Sequence, residues 1–353
     1  MTVTRTVASR PAVRVGPVSA VWRPRQVLVC AVLAVALLLV FAANVGRGDY
    51  PIALLDVLAV LAGGGDDTSR FVVLDLRLPR SLTGLLVGVA LGLSGAIMQS
   101  IARNPLASPD VLGVTAGASA AAVGVIVLGG GSGALAAVGL PVAALAGGLA
   151  TALLLHLLAW RDGVDGFRLV LVGIGLGAVL LAVTSWLLVS AQVEDAARAV
   201  VWITGSLNGR GWEHVVPVAI AVGLVGALAL LSSFTLGALR LGDDSARSLG
   251  LRLRTGQSAV LLAAVVLASV ATASAGPVAF VALVAPSVAL RLLRTAGPPM
   301  LGSALVGALL LVGADLVARV VLPVELPVGI VTAALGGPFL LHLIVRRTRE
   351  TTA

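Results

Sequence analysis

The sequence predicts an all-α, polytopic membrane protein with about ten transmembrane helices. Three observations carry that prediction. Apolar residues make up 59% of the chain and charged residues 11%, against roughly 25% charged in soluble domains. The apolar residues fall in long runs close to the ~20 residues that a helix needs to cross the hydrocarbon core. Glycine is abundant at 42 residues, which suits helices that must approach closely where lipid gives no hydrophobic drive for pairing.

The first span is 27–45. Five arginines precede it and Ala42-Ala43 lie near its end, so it has the outline of a secretory leader. The apolar run is longer than the ~7–15 residues of a leader's core, and the segment reads as a retained helix. The following spans are 81–101, 111–129, 140–160, 169–191, 215–236, 258–275, 278–293, 300–318 and 328–345. Span 278–293 is short and stands behind Gly276-Pro277. Short loops join the spans, so 27–345 reads as one integral domain between a tail at 1–26 and another at 346–353.

Arginine placement orients the chain. With the N-terminus inside, seventeen arginines fall on the inner side and seven outside, among them Arg77, Arg80 and Arg319. Basic residues favour the cytoplasmic side, so both termini are expected in the cytoplasm, which an even number of spans permits.

Composition also excludes functions. All 24 basic residues are arginine. A Walker A loop needs a lysine, as does a Schiff base, so the chain has no nucleotide-binding motif of that kind and is not expected to be an enzyme. Cys30 has no partner cysteine, and His156, His214 and His342 lack ligand spacing. No cofactor or metal is expected. An ion-driven transporter needs ionisable groups at mid-membrane; Asp315 is the one candidate acid, and it lies off centre.

The stretch 92–119, GLSGAIMQSIARNPLASPDVLGVTAGAS, is polar and rich in Gly and Pro between two apolar runs. Irregular backbone at membrane depth is tolerated where protein buries it or where it lines a watery cavity. Its Asn104-Pro105-Leu106 forces a turn, because Pro105 biases Asn104 away from helix and Asn104 can satisfy local backbone groups. Thr115, Ser119, Thr184 and Ser185 suit either a pore or a helix contact.

Ordered motifs run along the chain: Arg77-Leu-Pro-Arg80, Gly92-Leu-Ser-Gly-Ala-Ile-Met-Gln99, Asn104-Pro-Leu-Ala107, Leu112-Gly-Val114, Gly117-Ala-Ser119, Trp202 with Gly205-Ser206, and Leu241-Gly-Asp-Asp-Ser-Ala-Arg-Ser-Leu-Gly250. They continue with Ala275-Gly-Pro-Val-Ala-Phe-Val281, Pro286, Ala314-Asp315, Ala318-Arg319, Glu325-Leu-Pro-Val-Gly-Ile-Val-Thr-Ala333 and Gly336-Gly-Pro338. In this order the chain resembles the FecCD family, the permease subunits of ABC importers for iron–siderophore complexes and vitamin B12. Ala282, Ser287 and Leu290 depart from the Gly, His and Arg that the family often carries there.

The resemblance implies a type II ABC importer permease fold in a bacterial cytoplasmic membrane. Its implied partners are an ATP-binding cassette subunit, an extracytoplasmic substrate-binding protein, a second permease subunit and membrane lipid, with no nucleic acid. The implied cargo is a ferric siderophore, with vitamin B12 or haem as the alternative. Arg77, Arg80 and Arg319 resemble the cations that dock acidic residues of the binding protein; snorkelling to the interface is the plainer account. Asn104, Pro105 and Leu106 are candidates for a cytoplasmic gate, or else form a simple corner.

The resemblance also implies that the loop 237–254 forms the coupling helices that enter a groove of the ATPase, with Gly242, Asp243, Asp244, Ala246, Leu249 and Gly250 as its candidate residues; a solvated loop is the plainer account. Leu239, Ala246 and Leu249 are expected on one face, the aspartates at a helix start and Gly250 at its end. Asp315 and Arg319 are spaced for an ion pair one turn apart. Pro327 suits the opening of the last span, and Gly336-Gly337-Pro338 is expected to interrupt it.

Overall fold

The computed structural model describes residues 12–15, 18–21, 23–48, 50–129, 139–159, 166–321 and 324–351. Arg5, Arg10 and Arg161, which count toward the orientation, lie outside the described residues, as do the side chains of Arg14, Arg254, Arg346, Arg347 and Arg349. Ahead of the first helix, Ala12–Val15 and Val18–Val21 pair as an antiparallel ladder.

Among the described residues, all else that is regular is helical. The helices are α1 (Pro24–Gly46), α2 (Leu54–Leu61), α3 (Asp67–Ile101), α4 (Val114–Leu128), α5 (Leu140–Ala159) and α6 (Gly166–Ser190), then α7 (Val193–Ile203) and α8 (Trp212–Leu231). After them come α9 (Ser233–Arg240), α10 (Asp243–Ser248), α11 (Leu253–Ala275), α12 (Val281–Leu293), α13 (Met300–Val321) and α14 (Val328–Thr351). Seven of these are long and apolar enough to cross a membrane; α4, α12 and the Val328–Leu343 part of α14 are shorter apolar helices. Each of the ten expected spans falls on one of these ten helices.

The long helix α3 is the centre of the bundle, packed by α13, α11, α12 and α8. Its glycines allow this. A Cβ at Gly88 would stand 2.5 Å from the Gly307 carbonyl oxygen of α13, and one at Gly95 would overlap the Ala282 carbonyl of α12. The backbones therefore touch, which only small residues permit. Dispersion contacts at this density stabilise helices where no hydrophobic drive operates. In contrast, α1, α5, α6 and α8 turn Leu38, Leu157, Leu181 and Leu228 outward, as a lipid-facing shell requires.

Between α11 and α12 the backbone is irregular, with Gly276 at φ 73° and Phe280 at φ 67°. Protein partners its ends: Ser206 N–H donates to the Ala275 carbonyl at 2.8 Å, and Val281 N–H to the Ala279 carbonyl at 2.9 Å. Buried backbone polar groups need such partners. Of three π-helical segments among the described residues, one is Val222–Gly226 within α8, and the other two are Phe71–Arg77 within α3 and Val317–Val321 at the end of α13. Both carry an arginine of the cluster described below, in keeping with the frequent use of π turns at functional places.

One expectation on the fold is corrected. Gly336-Gly337-Pro338 does not interrupt α14, which runs through to Thr351. A Cβ at Gly336 would overlap Phe280, so this glycine makes room for an aromatic ring rather than a break.

Candidate functional site

The functional side chains gather at two ends of the bundle. At one end α1, α3, α13 and the stretch just before α14 meet around Asp315, which is fully buried. Arg80 Nη2 and Nε donate to Asp315 Oδ1 at 2.8 and 3.1 Å, and Asn44 Nδ2 donates to Oδ2 at 3.0 Å. Arg80 Nη1 reaches Glu325 Oε1 at 2.7 Å. The carboxylate thus accepts a two-pronged guanidinium, a strong and directional pairing.

Arg319 does not pair with Asp315 as the spacing suggested. It donates to the backbone carbonyl and, at 2.7 Å, to the Oδ1 of Asn44. The π turn at 317–321 changes the angular step there, so the side chain four residues on no longer lies over Asp315. Asn44 is the hinge of the network, bonded to both, and nothing in the sequence marked it.

Arg77 turns inward. Its Nη1 donates to the carbonyls of Val45 and Gly46 at 3.1 and 3.3 Å, and its Nη2 to that of Tyr50 at 2.7 Å. It therefore ties the end of α1 to α3. The three predicted arginines do come together, bordering a cavity of about 650 Å³ with Asp75, Arg210, Glu213 and Glu325. Arg210 was missed by sequence reasoning. It donates through Nε to the Ser206 carbonyl at 3.3 Å and lies 3.0 Å from His214 Nε2. Burial holds its guanidinium below the ordinary range, partly offset by Glu213.

The other end is built on the turn after α3. Arg103 adopts left-handed backbone at φ 49°, a rare conformation for a residue with a side chain. Asn104 Oδ1 accepts from Leu106 N–H at 3.0 Å, which makes the local turn the sequence suggested. Arg103 Nη2 donates to the Leu239 carbonyl at 2.9 Å, so this turn is fastened to α9. Asn104 and Leu106 line a cavity of about 500 Å³ with Ser108, Asp110 and Phe280. Pro105 shapes the turn without lining that cavity.

Asp110 carries the chemistry of this cavity. Burial pushes its carboxyl up to about 6, against hydrogen bonds from Thr115 and the Phe280 backbone that favour the charged form. The Ser-Pro-Asp run was the only signal for Asp110 in the sequence. Phe280 stands in the Ala275–Val281 motif, but its place in this cavity depends on how α11 and α12 join.

The segment 237–254 forms two short helices, α9 and α10. Gly242 (φ 102°) and Gly250 (φ 82°) use left-handed backbone. Gly250 N–H bonds the Arg247 carbonyl at 2.9 Å, and Leu251 N–H the Ala246 carbonyl at 3.1 Å. That pattern is a Schellman C-cap. Asp244 does not cap α10 but lies 3.6 Å from Arg247, and the Asp243 side chain lies outside the described residues. Leu239 and Ala246 are buried, whereas Leu249 is 53% exposed. The expected common face is therefore corrected: the C-cap turns Leu249 outward.

The model of the FecCD transport family matches residues 34–346. The chain belongs to that family. FecCD relatives at high similarity include the ferric enterobactin transport system permease protein FepG of Escherichia coli (strain K12), 42% identical over 327 residues, covering 92% of this chain and 98% of that protein. The achromobactin transport system permease protein CbrC of Dickeya dadantii (strain 3937) is 40% identical over 341 residues, covering 93% and 96%. The iron(3+)-hydroxamate import system permease protein FhuG of Bacillus subtilis (strain 168) is 37% identical over 328 residues, covering 91% and 98%. A solved structure described as an inward-facing conformation of a metal-chelate type ABC transporter aligns with a TM-score of 0.77 at 27% identity, covering 91% of this chain and 99% of that one. This FecCD protein is thus a multi-pass membrane permease and a component of an ABC transport system, not itself an enzyme.

Proposed function

We propose that this chain moves a ferric siderophore across the cytoplasmic membrane, as one of two permease subunits that enclose the path. The observation that carries the cargo is the set of relatives matched over nearly the whole chain, whose names cover enterobactin, achromobactin and hydroxamate systems. A partner ATPase supplies the energy, and an extracytoplasmic binding protein delivers the chelate. Both termini lie in the cytoplasm, which the distribution of arginines supports.

In this orientation the arginine cavity faces outward and receives a carboxylate of the binding protein. Arg80, whose side chain keeps 11% exposure, and the half-buried Arg319 offer the cations, and the incoming acid competes with Glu325 for Arg80. Arg77 supports that mouth from within. The turn at Asn104–Leu106 stands at the inner end of the path as a gate, beside Asp110 and Phe280. The helices α9 and α10 couple it to the ATPase through the outward Leu249, and the Arg103–Leu239 bond links coupling to gate.

Reconstituted vesicles holding the complete importer decide the cargo. ATP-dependent uptake of ferric catecholates, hydroxamates or α-hydroxycarboxylates is expected, with no uptake of cobalamin or haem. Uptake of cobalamin alone overturns the reading.

A further inference from the structure

A second cavity, of about 690 Å³, opens at the end of the bundle that carries α9 and α10. Four candidate spans have their ends here: the start of α1, the end of α3, the end of α8 and the start of α13. Its walls include Val27, Cys30, Leu230 and Leu301, and its cations are Arg23 and Arg240. No acid is among its described lining residues. The site therefore lies where hydrocarbon gives way to headgroups, with an apolar wall below two guanidinium groups.

Arg240 is the informative residue. It is partly buried, and burial alone holds its guanidinium below the ordinary range. Among the described residues it has no hydrogen bond and no ion pair. Its guanidinium fills the space that a side chain at position 297 would take: a Cβ at Gly297 would overlap it. A desolvated cation without an anion is costly, so its native setting supplies one. The first turn of α13, at Met300, Leu301 and Gly302, borders the same cavity. Its free backbone N–H groups and dipole also favour negative charge.

We infer that this cavity holds the phosphate headgroup of an anionic phospholipid, with Arg23 and Arg240 on the phosphate and the acyl chains along Val27, Leu230 and Leu301. Basic pockets between membrane helices take such headgroups. The apolar wall selects a lipid over a free phosphate. Leu301 is 54% exposed and Val27 49%, so both present surface to the bilayer.

Native mass spectrometry of the delipidated full-length importer tests this. Phosphatidylglycerol is expected to remain bound under activation that strips phosphatidylethanolamine and inorganic phosphate. Each arginine is worth roughly fivefold in affinity, so Arg23→Gln with Arg240→Gln weakens phosphatidylglycerol binding by roughly 25-fold. Arg240→Lys, which keeps the charge, restores most of it. Equal retention of phosphatidylglycerol and phosphatidylethanolamine by the unaltered protein overturns the inference. So does retention of inorganic phosphate alone. Unchanged lipid binding in the double variant together with loss of the ATPase subunit overturns it in favour of a protein contact.

Discussion

Around Asp315, three arginines direct their donors at carbonyls, at Asn44 and at two carboxylates. At the opposite end, Arg23 and Arg240 face a cavity that no described acid lines. Both clusters are basic and close to the membrane boundary, yet one is closed and the other open. The closed cluster has a buried acid to satisfy, which fixes arginine geometry. The open one lies beside a lipid-facing wall and leaves its charge for a partner. The difference shows that arginine count locates an interface, whereas an internal anion decides how much of its charge is already engaged before a partner arrives.

The largest test of the closed cluster is Asp315→Ala. Removing the carboxylate leaves Arg80 without its buried partner, and a cost of about 3–5 kcal/mol follows. Thermal melting in detergent and the yield of folded protein read it. Unchanged melting would show that the cluster does not hold the helices together.

Next in size is the pH response of Asp110. Its folded value, about 6, lies above the ordinary 3.8. The fold therefore favours the protonated form. That contribution is complete below pH 3.8 and is lost as pH rises through 6, by at most about 3 kcal/mol. Melting temperature measured from acid to neutral pH is expected to fall across this window and then level off. Asp110→Asn removes the slope, and a slope that survives the substitution assigns it to another group.

Glu325→Gln probes the boundary between closed and receptive. Glu325 is 43% exposed on its side chain, so its stability effect stays within about 1 kcal/mol. Binding-protein affinity is expected to rise several-fold, because the carboxylate that competes for Arg80 is gone. Weaker affinity would mean that Glu325 itself contacts the binding protein.

Leu249→Ser should leave melting within about 0.5 kcal/mol. Transport is nevertheless expected to fall, with ATP hydrolysis less coupled to uptake. Equal uptake by the variant removes Leu249 from the coupling contact.

Much of this was legible in the chain. Runs of apolar residues gave the spans, since helix length in a bilayer is set by hydrocarbon thickness. Asn104-Pro105 announced its turn because proline acts on its neighbour locally, and Gly250 announced a C-cap for a similar local reason. The partners of Asp315 were not legible. Spacing favoured Arg319, but a π turn rotated that side chain away, and Arg80 came from a helix 235 residues distant. The amphipathic helix α7 was also unforeseen, because its short length gave no span to detect.

Composition, apolar run length and the order of local motifs are properties of adjacent residues, so the sequence alone determined the membrane class, the helix positions and the family. Which arginines are closed by an acid and which are left open depends on contacts between residues far apart in the chain. Those contacts exist only after glycines let α3 sink against α12 and α13, so the tertiary structure decided them.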